Sequence, residues 1–113
     1  LFNRAFYEQC HRVLAADGIL VQQSESPLIH QTLLRDMRMA MKDAQFSDLF
    51  TLPFPQPVYP SGWWSATMAA KKPLLSKFRR DDNLLKSLET KYYQFGLHEG
   101  ALTPIPFLQE ILK

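Results

Sequence analysis

Asp17-Gly18-Ile19-Leu20-Val21-Gln22-Gln23-Ser24-Glu25-Ser26-Pro27 runs from a turn, through a short apolar segment, into a polar stretch closed by proline. Gly18 suits the left-handed position that follows a helix. Ile19-Leu20-Val21 is an unbroken apolar triplet, the pattern of a strand covered on both faces in a parallel sheet. Polar side chains then appear where the strand ends, and in open α/β sheets ligands bind beyond the carboxyl ends of the strands. Alternation sets Gln23 and Glu25 on one side and Gln22 and Ser24 on the other. An amide and a carboxylate side by side suit an amine or a ribose hydroxyl. A polar turn that only satisfies backbone groups fits the same position equally well.

Both flanks of this stretch read as helices. Upstream, Phe6, Cys10, Val13 and Leu14 fall at i, i+4, i+7 and i+8, the spacing of one buried helical face. Downstream, Ile29, Leu33, Leu34, Met37, Ala40, Met41 and Ala44 form the stripe of a helix over 27–44, with Ser26-Pro27 as its start signal. The methionines are read as core. Helix, strand, helix in this order predicts part of a doubly wound α/β sheet with flanking helices. Asp48 to Leu52 and Trp63 to Ala70 predict a C-terminal antiparallel hairpin at a sheet edge, where the prolines between them are tolerated. Leu84, Leu85, Leu88 and Tyr92 have helical spacing within 81–93, and a short closing helix is expected over 104–112. One parallel strand and one hairpin make too little sheet for so many helices. Further strands are therefore expected before Leu1, and Leu1-Phe2-Asn3-Arg4, with no initiator Met or lead-in loop, reads as the start of a piece of a longer chain.

Composition narrows the function classes. A chain of 113 residues has room for one domain at most. The net charge of +2 does not argue for nucleic acid. Lys71, Lys72, Lys77, Arg79 and Arg80 do bunch together, but Asp81 and Asp82 follow at once, so a solvated surface is expected. Single-stranded nucleic acid would want interleaved aromatics, and only Phe78 offers that. The single cysteine, Cys10, excludes an internal disulfide and fits a reducing, cytoplasmic compartment. Its place on an apolar stripe makes it a core filler. No apolar run approaches the ~18 residues of a membrane span. His11, His30 and His98 lack metal-ligand spacing, and no HExxH, CxxC, GxSxG, P-loop or GxGxxG occurs, so no metal site is expected.

Two further segments carry unusual side chains. In Val58-Tyr59-Pro60-Ser61-Gly62-Trp63-Trp64, Pro60 and Gly62 predict a tight turn that leaves Tyr59 and one tryptophan facing inward. Aromatic faces attract a cation, although the same loop could serve only as a hydrophobic plug. Lys91-Tyr92-Tyr93 is followed by His98, and read alone it is a helix end with a packed or surface histidine.

Taken together these segments resemble the C-terminal half of the polyamine aminopropyltransferases, of the spermidine synthase type. The matching pieces are Leu1-Phe2 through Phe6-Tyr7, the 17–21 strand start, Gln23-Ser24-Glu25-Ser26-Pro27 with His30, Tyr59-Pro60-Ser61-Gly62 with Trp64, and Lys91-Tyr92-Tyr93 with His98. The resemblance implies a Rossmann-like, class I methyltransferase-type sheet preceded by a small β domain. It also implies transfer of the aminopropyl group of decarboxylated S-adenosylmethionine to putrescine, giving spermidine and methylthioadenosine, with that co-substrate and no other cofactor. The acceptor amine must be neutral to attack, so an aspartate that binds and deprotonates the ammonium is useful. In the family that aspartate lies in a DSxDP-like loop upstream of the segment matching Leu1, and the glycine-rich nucleoside-binding loop lies earlier still. No catalytic residue is therefore assigned within residues 1–113, which alone are expected to be inactive and to bind polyamine poorly.

Substrate contacts carry over to Gln23, to Tyr59 lining the diamine channel, and to Trp64 as an apolar wall, with Glu25 supporting them from behind. A homodimer is implied for the whole protein. The alternative is a non-catalytic relative acting as a binding or regulatory subunit. A class I methyltransferase shares the sheet but gives no reason for YPSGxW or KYY. The segment from Gly100 to Phe107 departs from the Ala-Ala-Phe and Leu-Pro pattern of the family, which bears on the choice of acceptor amine.

Overall fold

The computed structural model describes residues 2–76 and 82–113. The basic residues Lys77, Arg79 and Arg80, with Phe78 and Asp81, lie outside them, as does Leu1. In chain order the elements are α1 (Arg4–Val13), β1 (Ile19–Gln23), α2 (Gln31–Asp43), β2 (Asp48–Pro55), β3 (Trp63–Ala70), α3 (Asp82–Lys86), α4 (Phe95–Ala101) and α5 (Pro106–Ile111).

The side chain of Asn3 starts α1 by accepting the Phe6 amide at 3.0 Å, satisfying one of the amides a helix start leaves open. The buried stripe is shifted from the expected one. Tyr7 is 0% exposed, Cys10 and Leu14 pack beside it, and Val13 points away at 78% exposed. Tyr7 wins because its hydroxyl has a partner inside, donating to Gln22 Oε1 at 2.7 Å. A buried phenol needs such an acceptor. Gly18 also differs from expectation, since the one glycine with positive φ is Gly62. Gly18 is required for space: a Cβ there would stand 2.6 Å from Leu14 Cγ.

The second helix begins at Gln31, later than proposed. Pro27 to Ile29 form a turn in which the Leu28 and Ile29 amides donate to Ser26 Oγ at 3.2 and 3.3 Å. Leu34, Met37 and Met41 are its buried side chains. With Tyr7, Ala44, Phe46 and Ala69 they make the core between the helices and one sheet face.

The sheet has the order β1-β3-β2, with both pairs antiparallel. The expected parallel pairing of β1 is thus not present among the described residues, where its partner is β3. Nor is β1 covered on both faces: Val21 is 60% exposed. Leu20, Ala69 and Leu49 lie in register on the helix-covered face, while Val21, Met68 and Phe50 share the other. β3 has the predicted bounds. β2 runs on to Pro55, taking Pro53 and Pro55 into the strand, which an edge strand allows because one row of its amides needs no ladder partner.

The C-terminal helices depart further from the periodicity. α3 stops at Lys86, where Ser87 Oγ donates back to the Leu84 carbonyl at 2.8 Å. Such back-bonding competes with helix continuation, and Leu84 and Leu88 are exposed. α4 was not anticipated, because Gly96 and Gly100 depress its helical propensity. α5 carries Pro106 in its first turn, where the missing amide costs nothing. No helix among the described residues is long and apolar enough to cross a membrane.

Candidate functional site

The β1 tip divides its polar side chains between two environments. Gln22 is committed to the core, accepting from Tyr7 and placing Nε2 3.3 Å from Met37 Sδ. Burial pushes the Tyr7 phenol up to about 12, against the lowering effect of its bond to Gln22. Ser24 is buried on the same face. Gln23 is exposed on the opposite face. Glu25 has φ +69°, which ends the strand alternation. Such a conformation is strained for a side chain with a Cβ, and the Glu25 carbonyl is held by the Ser65 hydroxyl at 2.8 Å. Gln23 and Glu25 line a small cavity of about 120 Å³, with Phe2, Asp36 and Met37 on other walls. That is well below the ~300 Å³ at which complete small-molecule sites begin.

The hairpin turn is built from three short backbone bonds. Gly62 donates to the Tyr59 carbonyl at 3.0 Å, Tyr59 to Gln56 at 3.1 Å, and Gln56 to Gly62 at 2.8 Å. Pro60 presets the first central position, and Ser61 takes the positive φ, +72°, that the second requires. Glycine usually fills that place. Ser61 holds it through its hydroxyl, which donates to the Trp63 carbonyl at 3.1 Å and lies 2.7 Å from Ser26 Oγ. Ser26 Oγ already accepts two amides, so its own hydrogen goes to Ser61. This bond ties the β1–α2 loop to the hairpin turn, two segments far apart in sequence.

Above that tie lies an aromatic cluster. The Tyr59 and Trp64 rings are 4.5 Å apart, and His30 stands edge-on to Trp64 at 6.0 Å. Trp64 is 8% exposed and Tyr59 39%. Trp64 Nε1 is enclosed with no acceptor among the described residues, an orphan that a buried indole rarely keeps. His30 Nδ1 lies 3.6 Å from Glu25 Oε2, but it also accepts the Ser26 amide at 3.2 Å. Both contacts use the same ring nitrogen, and the Ser26 amide makes the shorter one.

Register pairs Gln23 with Ala66, two residues from Trp64, so Gln23 and Trp64 share a sheet face. The structure therefore brings Tyr59, Trp64, His30 and Glu25 into one cluster. Gln23 joins it through Glu25, although neither Tyr59 nor Trp64 lines the small cavity of Gln23. The Tyr93 hydroxyl pairs with His98 Nδ1 at 2.6 Å, and the hollow lined by Tyr93 includes none of these residues. Among the described residues no three His, Cys, Asp or Glu side chains gather as metal ligands.

A feature with no counterpart in the expectations is a chain of hydroxyls beneath the site. Arg38 Nη1 donates to Thr51 Oγ1 at 2.9 Å, and Thr51 contacts Thr67 at 2.9 Å. Thr67 donates to Ser24 at 2.9 Å, Ser24 contacts Ser65 at 2.8 Å, and Ser65 donates to the Glu25 carbonyl. Its direction is set by its ends, because a guanidinium only donates and a carbonyl only accepts. Each hydroxyl between them accepts once and donates once. The available signal was Ser65 and Thr67 two residues apart in an otherwise apolar strand, facing Ser24 and Thr51 across the register.

Comparison with known proteins places this arrangement. Residues 1–79 match the spermine/spermidine synthase domain. A polyamine aminopropyltransferase of Stenotrophomonas maltophilia (strain K279a) is 53% identical over 113 residues, covering 100% of this chain and 40% of the relative. One from Xylella fastidiosa (strain 9a5c) is 51% identical over 99% of this chain and 40% of its own length. The spermidine synthase of Thermotoga maritima superposes with a TM-score of 0.83 at 25% identity, over 98% of this chain and 39% of that one. A spermidine synthase in complex with the transition state analogue AdoDATO gives the same TM-score and identity, over 99% and 38%. The partial Rossmann-like sheet with its flanking helices and terminal hairpin is thus the methyltransferase-like fold of these enzymes, and the chain spans about 40% of the relatives' length. On the match over residues 1–79 and these relatives, the chain belongs to the spermine/spermidine synthase domain family.

Proposed function

We propose that the protein carrying this chain transfers the aminopropyl group of decarboxylated S-adenosylmethionine to putrescine, and that residues 1–113 supply one wall of the amine pocket. The amine nitrogen attacks the methylene next to the sulfonium. The C–N bond forms as the C–S bond breaks, its electron pair stays on sulfur, and the products are spermidine and methylthioadenosine. The nitrogen must first lose a proton, and the carboxylate that takes it is proposed to lie, with the nucleoside-binding half, upstream of Leu1. No cofactor besides the co-substrate is invoked, and a cytoplasmic homodimer is proposed for the whole protein.

The observation that carries this reading is the Ser26–Ser61 hydrogen bond at 2.7 Å. It holds the loop bearing Glu25, just beyond Gln23 at the end of β1, against the turn bearing Tyr59, just before Trp64 in β3. A diamine chain has apolar methylenes between cationic ends. The Tyr59 and Trp64 faces suit both parts, by contact with methylenes and by attraction of an ammonium. The Gln23 amide oxygen is an acceptor for amine N–H groups, and Glu25 supports the loop and adds negative charge.

The intact protein, given decarboxylated S-adenosylmethionine and putrescine, is expected to release methylthioadenosine and spermidine together. Release with no diamine tested would end the proposal. Tyr59→Ala should raise the KM for the diamine about tenfold, the scale of a lost cation–aromatic contact. The KM for the sulfonium substrate should stay in place. Equal changes in both constants would remove Tyr59 from the amine channel.

A further inference from the structure

A second, half-open cavity lies at the other edge of the sheet from β1, lined by α2, β2, α5 and residues 103–105. Its volume is about 370 Å³, within the ~300–1,000 Å³ range of small-molecule sites. Three cationic side chains line it, Arg38, Lys42 and Lys113, and its described lining includes no Asp or Glu. Leu49, Leu108 and Leu112 supply an apolar wall, so the cavity is cationic at one part and oily at another.

Arg38 is the telling residue. Its Nη1 donates to Thr51, while its Nε is enclosed and has no acceptor among the described residues. Burial alone pushes the guanidinium below its usual range, with no carboxylate acting on it. A partly buried cation whose enclosed Nε has no acceptor among the described residues is costly to hold. A planar, fork-shaped donor is suited to an oxyanion. Lys42, one helical turn further along α2, adds a second positive charge without an ion-pair partner among the described residues.

We propose that this cavity binds a small organic anion, a carboxylate or phosphate monoester on an apolar body. Its acidic group would lie against Arg38 and Lys42, and its body against Leu49, Leu108 and Leu112. The site is separate from the amine pocket, since Gln23, Glu25, Tyr59 and Trp64 are not in its lining. Its chemistry is also opposite, taking anions where the other takes cations, so it stands or falls independently of the transferase reading.

Calorimetric titration of the intact protein with phenyl phosphate, benzoate, inorganic phosphate and benzyl alcohol tests this. At least one of the two aromatic anions should saturate a single site, about tenfold more tightly than inorganic phosphate, with benzyl alcohol weaker still. Phenyl phosphate alone would assign a phosphate ester; benzoate alone would assign a carboxylate. Putrescine should not compete. Arg38→Met should weaken binding by at least about tenfold. Because Arg38 also holds Thr51, the exposed Lys42→Glu serves where that variant fails to fold, and should weaken binding by a similar factor. Absence of saturable binding by both aromatic anions would overturn the proposal. So would unchanged affinity in Lys42→Glu, or benzyl alcohol binding as tightly as the tighter of the two aromatic anions.

Discussion

Between Arg4 and Ala70 buried side chains come from α1, α2, β2 and β3, whereas among the described residues from Asn83 to Lys113 only Leu108 is buried. The two regions began with similar sequence evidence, since both show apolar residues at helical spacing. In the first, the stripe of α2 meets a sheet and becomes core. In the second, Leu84 and Leu88 stay about half exposed, and the helix ends at Lys86. Helical periodicity therefore states that a face could be buried. Whether a helix persists depends on a surface to bury it against, because short helices draw most of their stability from packing.

The largest test of this contrast is a pair of truncations. Met41→Ala, at a fully buried core position, should cost about 3 kcal/mol in urea unfolding of the intact protein. Leu84→Ala, on an exposed face, should stay within about 0.5 kcal/mol. Similar losses from both would mean that the C-terminal helices are as firmly packed as the sheet.

An intermediate effect is expected within the first region itself. Thr67→Val conserves shape but removes the middle of the hydroxyl chain, leaving Thr51 without an acceptor and Ser24 without a donor. Burial makes that loss cost about 2 kcal/mol. The same change should also slacken the Glu25 loop, raising the KM for the diamine more than that for the sulfonium substrate. A neutral Thr67→Val would show that the chain is incidental to both stability and site.

The smallest expected effect is a pH slope. The Tyr7 phenol is held up at about 12 in the folded chain, against about 10 when free. The folded state therefore keeps a proton that the unfolded chain loses. This contribution is complete below pH about 10 and disappears as pH rises through about 12. Unfolding midpoints measured across that window should fall, and Tyr7→Phe should flatten the fall. An unchanged slope in the variant would assign the alkaline loss to other groups.

Particular residues show how far the chain could be read before its structure was known. Trp63 to Ala70 reads correctly at both ends because dense small and apolar residues are bounded by a Gly-containing turn. Pro53 and Pro55 were placed outside β2, since a strand's edge position is not visible from the strand itself. The stripe of α1 was misphased because Phe6 and Tyr7 are adjacent aromatics, and only the partner at Gln22 distinguishes them. In the site, the packing of Tyr59 against Trp64 follows from a local turn and could be anticipated. The Ser26–Ser61 tie and the chain from Arg38 to Glu25 could not, because each of their bonds joins residues from different segments.

Local order along the chain was enough to establish helix, strand, helix and hairpin, together with the tight turn at Pro60, since periodicity, caps and turn residues act over a few positions. Tertiary structure alone selected β3 as the neighbour of β1, turned Tyr7 inward in place of Phe6, and aligned the hydroxyls into a one-way series. Those outcomes depend on how segments 15 to 43 residues apart meet. There a shift of a single residue exchanges the two faces of a strand, and nothing local specifies which face will be covered.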